Sequence, residues 1–119
     1  MHHIADRDLV RQTLREMVRV TRPGGAIVVW DHNPLNPYWP LIMRRVPQDN
    51  GTERLAPMRE LLAGLTRGGA RVRRAERLGL MPEFIPHWLL PAAAALERRT
   101  EATPGLRAFC AHNVVLAGK

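Results

Sequence analysis

The fold of this chain is decided by residues 22–33, which read Arg22-Pro23-Gly24-Gly25-Ala26-Ile27-Val28-Val29-Trp30-Asp31-His32-Asn33. Pro23 fixes φ and the two glycines permit positive φ, so the segment begins as a tight turn. Residues 26–30 form an unbroken apolar run rich in β-branched side chains. That pattern is typical of a strand covered on both faces within a parallel α/β sheet.

Three polar residues follow this strand, at the end where open α/β sheets bind their ligands. Asp31, His32 and Asn33 are therefore candidate site residues. The alternative is a polar turn that merely follows a core strand. The next segment, residues 33–40, contains three prolines, which exclude regular structure over most of it. Its two aromatic residues, Tyr38 and Trp39, either cover a pocket or pack on the core.

Length and composition indicate one globular domain or a piece of one. The chain has 119 residues, of which 45% are hydrophobic. No apolar run approaches the roughly 18 residues of a membrane span, and no signal peptide is recognisable. The single cysteine excludes an internal disulfide framework and a cysteine-rich zinc site, and no histidine spacing suggests a metal. We expect a cytoplasmic protein without a membrane partner.

The net charge of +7 points towards nucleic acid less strongly than its size suggests. Seventeen of the eighteen basic residues are arginine. An arginine excess of this kind, with many Ala, Gly and Pro residues, reflects a GC-rich genome more often than a ligand. We therefore do not expect a nucleic-acid partner, and a basic nucleic-acid-binding module is kept as an alternative function.

Hydrophobic periodicity predicts three helices. The first spans residues 8–20, is capped by Asp6 or Asp8, and carries an apolar face and an arginine face opposite to it. The second begins at Pro57 and ends at Gly68-Gly69. The third spans residues 91–99. The residues predicted to be buried are Leu9, Val10, Thr13, Leu14 and Met17 in the first helix, Met58, Leu61, Leu62 and Leu65 in the second, and Ala94 and Leu96 in the third.

Two further strands are predicted, over residues 70–80 and 109–117. The first contains many arginines, which favours a position at a sheet edge, with Val72 and Leu78 facing inward. The second is apolar, and Cys110 within it is interpreted as a small buried hydrophobe. A helix precedes strand 26–30 without a strand before it, so part of the expected sheet is missing. Either that strand pairs with another subunit, or the chain is the C-terminal portion of a larger α/β domain.

Several segments resemble class I S-adenosylmethionine-dependent methyltransferases, in particular the small-molecule group sometimes called type 11. Residues 2–6, His-His-Ile-Ala-Asp, resemble the "hHHhxD" segment that follows the family's fourth strand. Residues 19–25 resemble its "RhLRPGG" turn into the fifth strand. Residues 31–37 resemble the "EHNPxNP" of one bacterial subgroup. Leu61-Leu62 with residues 67–70 resembles that subgroup's "LLxxAGF", and residues 110–119 resemble the seventh strand.

The resemblance implies a partial Rossmann-like methyltransferase fold, namely its C-terminal half with a mixed sheet and an antiparallel last strand. Strand 26–31 is then parallel to strand 70–80, and the terminal strand lies between them, antiparallel to both. It also implies methyl transfer to a small-molecule acceptor, with His2 and His3 near the S-adenosylmethionine. Asp31 and His32 would face the acceptor as catalytic residues. Substrate binding is assigned to Asn33, Asn36, Tyr38 and Trp39.

The chain departs from this family in two ways. Gly68-Gly69-Ala70 stands where the family has Ala-Gly-Phe, so a core aromatic residue is absent. No G-x-G occurs anywhere, and no acidic residue for the ribose is recognisable. We expect residues 1–119 to be the C-terminal part of a methyltransferase domain that lacks the cofactor-binding half, is inactive alone and binds S-adenosylmethionine weakly or not at all. Strand 26–30 would then have an exposed edge and self-associate. A non-catalytic partner subunit is a further alternative.

Overall fold

The computed structural model describes residue 4 and residues 6–39, 54–80 and 85–119 of the chain. The proposed cofactor-binding residues His2 and His3 lie outside them, as do residues 41–46, whose sequence predicts one helical turn. The described elements, in chain order, are α1 (Arg7–Val20), β1 (Ala26–His32), α2 (Met58–Arg67), β2 (Arg71–Leu78), a 3₁₀ turn (His87–Leu89), α3 (Leu90–Ala102), α4 (Pro104–Arg107) and β3 (His112–Gly118).

The three described strands form one sheet in the order β1-β3-β2. β3 runs antiparallel to both neighbours, so β1 and β2 are parallel to each other. Val115 at the centre of β3 lies opposite Val29 on one side and Ala75 on the other. The predicted mixed α/β class and the predicted place of the terminal strand are confirmed for the described residues.

α1 begins at its predicted N-cap residue, Asp6. It packs against α2 through residues that are about one helical turn apart. The Asp6 carboxylate accepts hydrogen bonds from the backbone N–H of Asp8, at 2.6 Å, and of Leu9, at 3.4 Å. The buried residues are Val10, Leu14 and Val18, at a spacing of four. Leu9 was expected to be buried and is half exposed. It lies beside the stripe because only one narrow face of α1 meets α2.

α2 lies against α1 at a glycine. Pro57, predicted to be the first helical residue, occupies the N-cap position, and the helix begins one residue later at Met58. Leu61, Gly64 and Leu65 are buried. A Cβ at Gly64 would overlap the Leu14 side chain, so the two helices approach more closely here than any other residue would permit. α2 ends where Gly69 adopts φ +94°, as the glycine pair predicts.

The core lies between α1, α2 and one face of the sheet. Ile27, Val29, Val115 and Ala117 contribute the sheet side of this core. On the opposite face of β1, Val28 is 59% exposed and Trp30 is 61% exposed. The prediction that strand 26–30 is covered on both faces is therefore wrong for the described structure, because the helices that cover the strand lie on one side. Burial along β1 alternates, as it does in any strand with one solvated face.

β2 is an edge strand, as its arginines predict, with Val72 packed against the core. α3 contacts the sheet through polar groups: Glu101 accepts from the Gly79 N–H at 2.8 Å and Glu97 from the Leu80 N–H at 2.7 Å. The prediction that Ala94 and Leu96 are buried is wrong, since both are exposed. Helical spacing places the glutamates, rather than these two residues, on the side that faces the sheet.

Of the helices in the described ranges, none combines the length and the apolar character that crossing a bilayer demands.

The terminal strand begins at His112, three residues later than predicted. Phe109 is half exposed, whereas Cys110 is fully buried, as the sequence indicates. Burial raises the pKa of the Cys110 thiol, and the charges of Glu101 and Glu97 raise it further.

Candidate functional site

Five ring side chains meet where β1 ends and β3 begins. We call this group, formed by Trp30, His32, Tyr38, Trp39 and His112, the aromatic cluster. The imidazole of His32 stacks on Trp39 with ring centroids 3.8 Å apart. The His32 and His112 rings are 5.4 Å apart, and the Trp30 and His112 rings 5.5 Å. Tyr38 adds a ring 4.9 Å from Trp39.

Strand register brings the two histidines of the aromatic cluster together. His32 and His112 are directly opposite each other in the β1–β3 pair, so their side chains lie on the same face of the sheet. The loop after β1 then turns back and places Trp39 over them. Sequence reasoning identified His32, Tyr38 and Trp39 but not His112. Only the pairing of β1 with β3 gives His112 this position, and no local motif marks it.

Asparagine side chains hold the loop of residues 33–39 in place. The Asn33 Oδ1 accepts from the Leu35 N–H at 3.2 Å, and the Asn36 Oδ1 accepts from the Tyr38 N–H at 3.0 Å. The Asn33 Nδ2 donates to the carbonyls of Ala108, at 2.9 Å, and Cys110, at 2.7 Å. Both asparagines are buried. Their side-chain amide groups therefore form hydrogen bonds that stabilise the loop.

Residues 108–111 accept two more hydrogen bonds from the loop of residues 33–39. The Asn36 Nδ2 donates to the Phe109 carbonyl at 2.8 Å, and the Trp39 indole N–H donates to the Ala111 carbonyl at 2.7 Å. Loop 33–39 is thus tied to residues 108–111, and its aromatic side chains pack on the end of the sheet. Substrate contact by Asn33, Asn36, Tyr38 and Trp39 stays a prediction.

The two residues expected to act in catalysis lie on opposite faces of the sheet. Asp31 is 2% exposed and shares the helix-covered face with Ile27 and Val29. Its register partner is Asn113, which is also buried and donates from Nδ2 to the Ala56 carbonyl at 3.2 Å. His32 lies on the other face, in the aromatic cluster. One acceptor molecule on one face of the sheet would therefore meet only one of them.

An ion pair lies close to the helix-covered side of the site. The Arg54 guanidinium donates to both carboxylate oxygens of Glu60, at 2.5 and 3.0 Å. This hydrogen bonding raises the pKa of Arg54, and the charges of Glu60, Asp31 and Asp6 raise it further against the opposing effect of burial. The hydrogen bonds from Arg54 also lower the pKa of Glu60. Asp31 thus lies in the electrostatic field of a fixed cation.

A separate groove, lined by several positively charged side chains, lies beside α1 and the C-terminal end of α2. Its lining, which we call the basic groove, consists of Gln12, Arg15, Glu16, Arg19, Arg67, Gly68 and Lys119. The Arg19 Nε is 2.7 Å from a Glu16 carboxylate oxygen, and the Lys119 Nζ donates to the Arg19 carbonyl at 2.9 Å. The groove carries four cationic side chains and one carboxylate.

Within the described ranges, no three His, Cys, Asp or Glu side chains converge in a way that would hold a metal ion. Comparisons of the chain with protein-family models, with curated proteins and with solved structures find no match.

Proposed function

We propose that this chain forms the acceptor-side part of a class I S-adenosylmethionine-dependent methyltransferase that acts on a small molecule. The observation that carries the proposal is the strand order β1-β3-β2, in which an antiparallel last strand lies between two parallel strands. The sequence resemblance implies this order. In this order β1 and β2 are not neighbours, whereas roughly two-thirds of successive strands lie side by side.

The described residues do not fit the cofactor. Gly24 and Gly69 adopt positive φ, but they precede β1 and β2, whereas ligands of open α/β sheets lie beyond the carboxyl ends of the strands. Gly79 does follow β2, yet its N–H donates to Glu101 and its carbonyl accepts from Ala111. Its backbone groups are therefore occupied within the fold. The proposal accordingly places the cofactor against residues outside the described ranges, His2 and His3 among them, and against a glycine-rich G-x-G segment that does not occur in this sequence.

Methyl transfer needs alignment of the reacting groups, and in some cases one general base. His32 is the best-placed candidate among the described residues, because it is partly exposed and its ring centroid lies 3.8 Å from that of Trp39 and 5.4 Å from that of His112. An imidazole there can accept a proton from an acceptor hydroxyl or amine, while the rings of Tyr38 and Trp39 offer an apolar surface. Asp31, almost fully buried on the other face, is better suited to a positioning role.

Calorimetric titration with S-adenosylmethionine tests the claim that the chain lacks a cofactor site. We expect no binding heat at cofactor concentrations up to the millimolar range. A micromolar dissociation constant would contradict that claim.

The nucleotide sequence before the Met1 codon provides an independent test of the family. An in-frame strand followed by G-x-G supports the methyltransferase proposal, whereas an in-frame coding segment that contains neither contradicts it.

The basic groove favours a second candidate function, the binding of nucleic acid. Arg15 and Arg67 line it from two different helices, and four cations face a single carboxylate. Phosphate contacts make binding fall steeply with salt. Fluorescence anisotropy with a labelled oligonucleotide at 50 and 200 mM salt tests this candidate. Binding that weakens in the Arg15→Gln and Arg67→Gln variants but not in Arg98→Gln, an exposed arginine of α3, supports it; equal losses in all three would exclude the groove.

A further inference from the structure

The two edges of the described sheet differ in charge. β1 has a described neighbour on one side only, and its residues 26–30 are all uncharged. The other edge, β2, carries four arginines and one glutamate, Arg71, Arg73, Arg74, Arg77 and Glu76. Like charges directly opposite one another disfavour strand pairing, so β2 resists pairing with its own copy. β1 has no such protection.

An apolar strip lies beside the unprotected edge. Val28 and Trp30 are each about three-fifths exposed on the open face of β1. Their register partners, Leu116 and Val114 of β3, lie on the same face and are partly exposed. A strand that pairs with β1 would extend this strip and remove apolar surface from water, at about 25 cal/mol per Å².

We propose that β1 pairs antiparallel with β1 of a second copy, about a two-fold axis at Val28. The sequence is complementary to itself in this register. Ala26 of one copy lies opposite Trp30 of the other, so a small residue meets a large one, and Val28 lies opposite Val28. On the helix-covered face Ile27 lies opposite Val29. Gly25 lies opposite Asp31, so no two like charges meet at the ends of the pair.

The resulting dimer has one continuous sheet in the order β2-β3-β1-β1-β3-β2. Its outer edges are the two arginine-rich β2 strands, so growth beyond two copies is opposed. A two-fold pairing of identical edges closes on itself and gives a dimer rather than a fibre. This inference does not depend on the methyltransferase proposal, because its tests measure association and not cofactor binding.

Cysteine cross-linking tests the register. Directly opposite residues in an antiparallel pair have Cα atoms about 4.5–5.5 Å apart, within the range of disulfides. The native Cys110 is fully buried and does not interfere. We expect Val28→Cys to form a disulfide-linked dimer at least tenfold faster than Ala26→Cys or Trp30→Cys alone, and a mixture of the last two to cross-link with each other. Equal rates for all three variants, or no cross-linking of Val28→Cys, would overturn the proposed pairing.

Light scattering over a concentration series tests the dimer itself. We expect the unmodified chain to dimerise, and Val28→Lys to raise the dissociation constant at least tenfold because two ammonium groups would face each other at the axis. Leu106→Lys, which replaces an equally exposed apolar residue outside β1, is the matched control and leaves association unchanged. A monomer at all concentrations, growth beyond the dimer, or equal effects of the two lysines would each overturn the proposal. If Val28→Lys does not fold, the Val28→Cys cross-link decides.

Discussion

Buried asparagine side chains organise the residues around the candidate site. The Asn33 side chain makes three hydrogen bonds, two of them to carbonyls more than 70 positions away in the sequence. Because the side chain is 1% exposed, its loss would leave two carbonyls without this donor in a place that water reaches poorly. The loop that carries Tyr38 and Trp39 therefore depends on a residue that the sequence alone assigns to substrate binding.

Asn33→Ala is expected to lower the free energy of unfolding by about 1–3 kcal/mol, the usual cost of leaving buried polar groups unsatisfied. Leu35→Ala, in the same loop but half exposed, is the control and should change stability by less than about 0.5 kcal/mol. Urea unfolding of both variants measures the difference. Equal stabilities would mean that the hydrogen bonds of Asn33 do not hold the loop.

The Arg54–Glu60 pair predicts a pH-dependent contribution to stability. The pKa of Glu60 is lower in the folded protein because Arg54 donates to its carboxylate, so the folded state favours the ionised form. The stabilisation is thus present above the ordinary glutamate pKa and is lost as the pH falls through the lowered value. The side chains are 22% and 13% exposed, so solvent screens this interaction only in part.

Glu60→Gln is expected to lower the free energy of unfolding at pH 7 by about 1.5–3 kcal/mol, the range for hydrogen bonds to charged groups. The difference from the unmodified chain should shrink as the pH is lowered from 5 towards 2. Glu16→Gln is the control, because Glu16 pairs with Arg19 at an exposed position and contributes little. A difference that is constant between pH 7 and pH 2 would contradict the assigned ionisation.

Helix packing at the scale of elements depends on the contact between Gly64 and Leu14. A methyl group at position 64 favours the helix by about 1 kcal/mol, but it would overlap Leu14. We expect Gly64→Ala to be destabilising by about 1–3 kcal/mol, because overpacking outweighs helix propensity in a tight contact. Gly105→Ala, where an added Cβ meets nothing within 4 Å, is the control and should be neutral or slightly stabilising.

Thermal unfolding of these variants checks the prediction, and the double variant sharpens it. In the Leu14→Ala background the space at position 64 is larger, so Gly64→Ala should cost less there than in the unmodified chain. An equal cost in both backgrounds would show that the two helices do not meet at this pair.

Helix and strand positions were largely predictable from periodicity, whereas surface exposure was not. The Asp6 cap, the end of α2 at Gly69 and the edge position of β2 follow from local chemistry. The exposure of Leu96 and of Val28 depends on which neighbours exist, and one short window of sequence does not contain that information. An apolar run such as residues 26–30 predicts a strand, but it cannot reveal that only one face is covered.

The candidate site shows the same division. His32, Tyr38 and Trp39 could be selected because they follow an apolar strand. His112 joins them through the register of β1 with β3, 80 positions apart. Asp31 and His32 are adjacent in sequence, and alternation along the strand separates them onto two faces. Their neighbouring positions in the sequence therefore do not establish that Asp31 and His32 share a role.

At the scale of the whole molecule, the described part is a sheet with helices α1 and α2 on one face and an apolar strip on the other. The open face and the uncharged edge meet at β1, which also leads into the aromatic cluster. The same strand thus supports the functional proposal and the proposed dimer. Both depend on β3 lying between β1 and β2.

Nuclear Overhauser contacts between backbone protons of an isotope-labelled chain report this strand order. The strand order predicts contacts from the β3 residues around Val115 to both Val29 and Ala75, with the antiparallel pattern on each side. No backbone contacts are expected between β1 and β2 within one copy. Contacts that join β1 directly to β2, or that place β3 at an edge of the sheet, would contradict the fold and remove the observation that carries the proposed function.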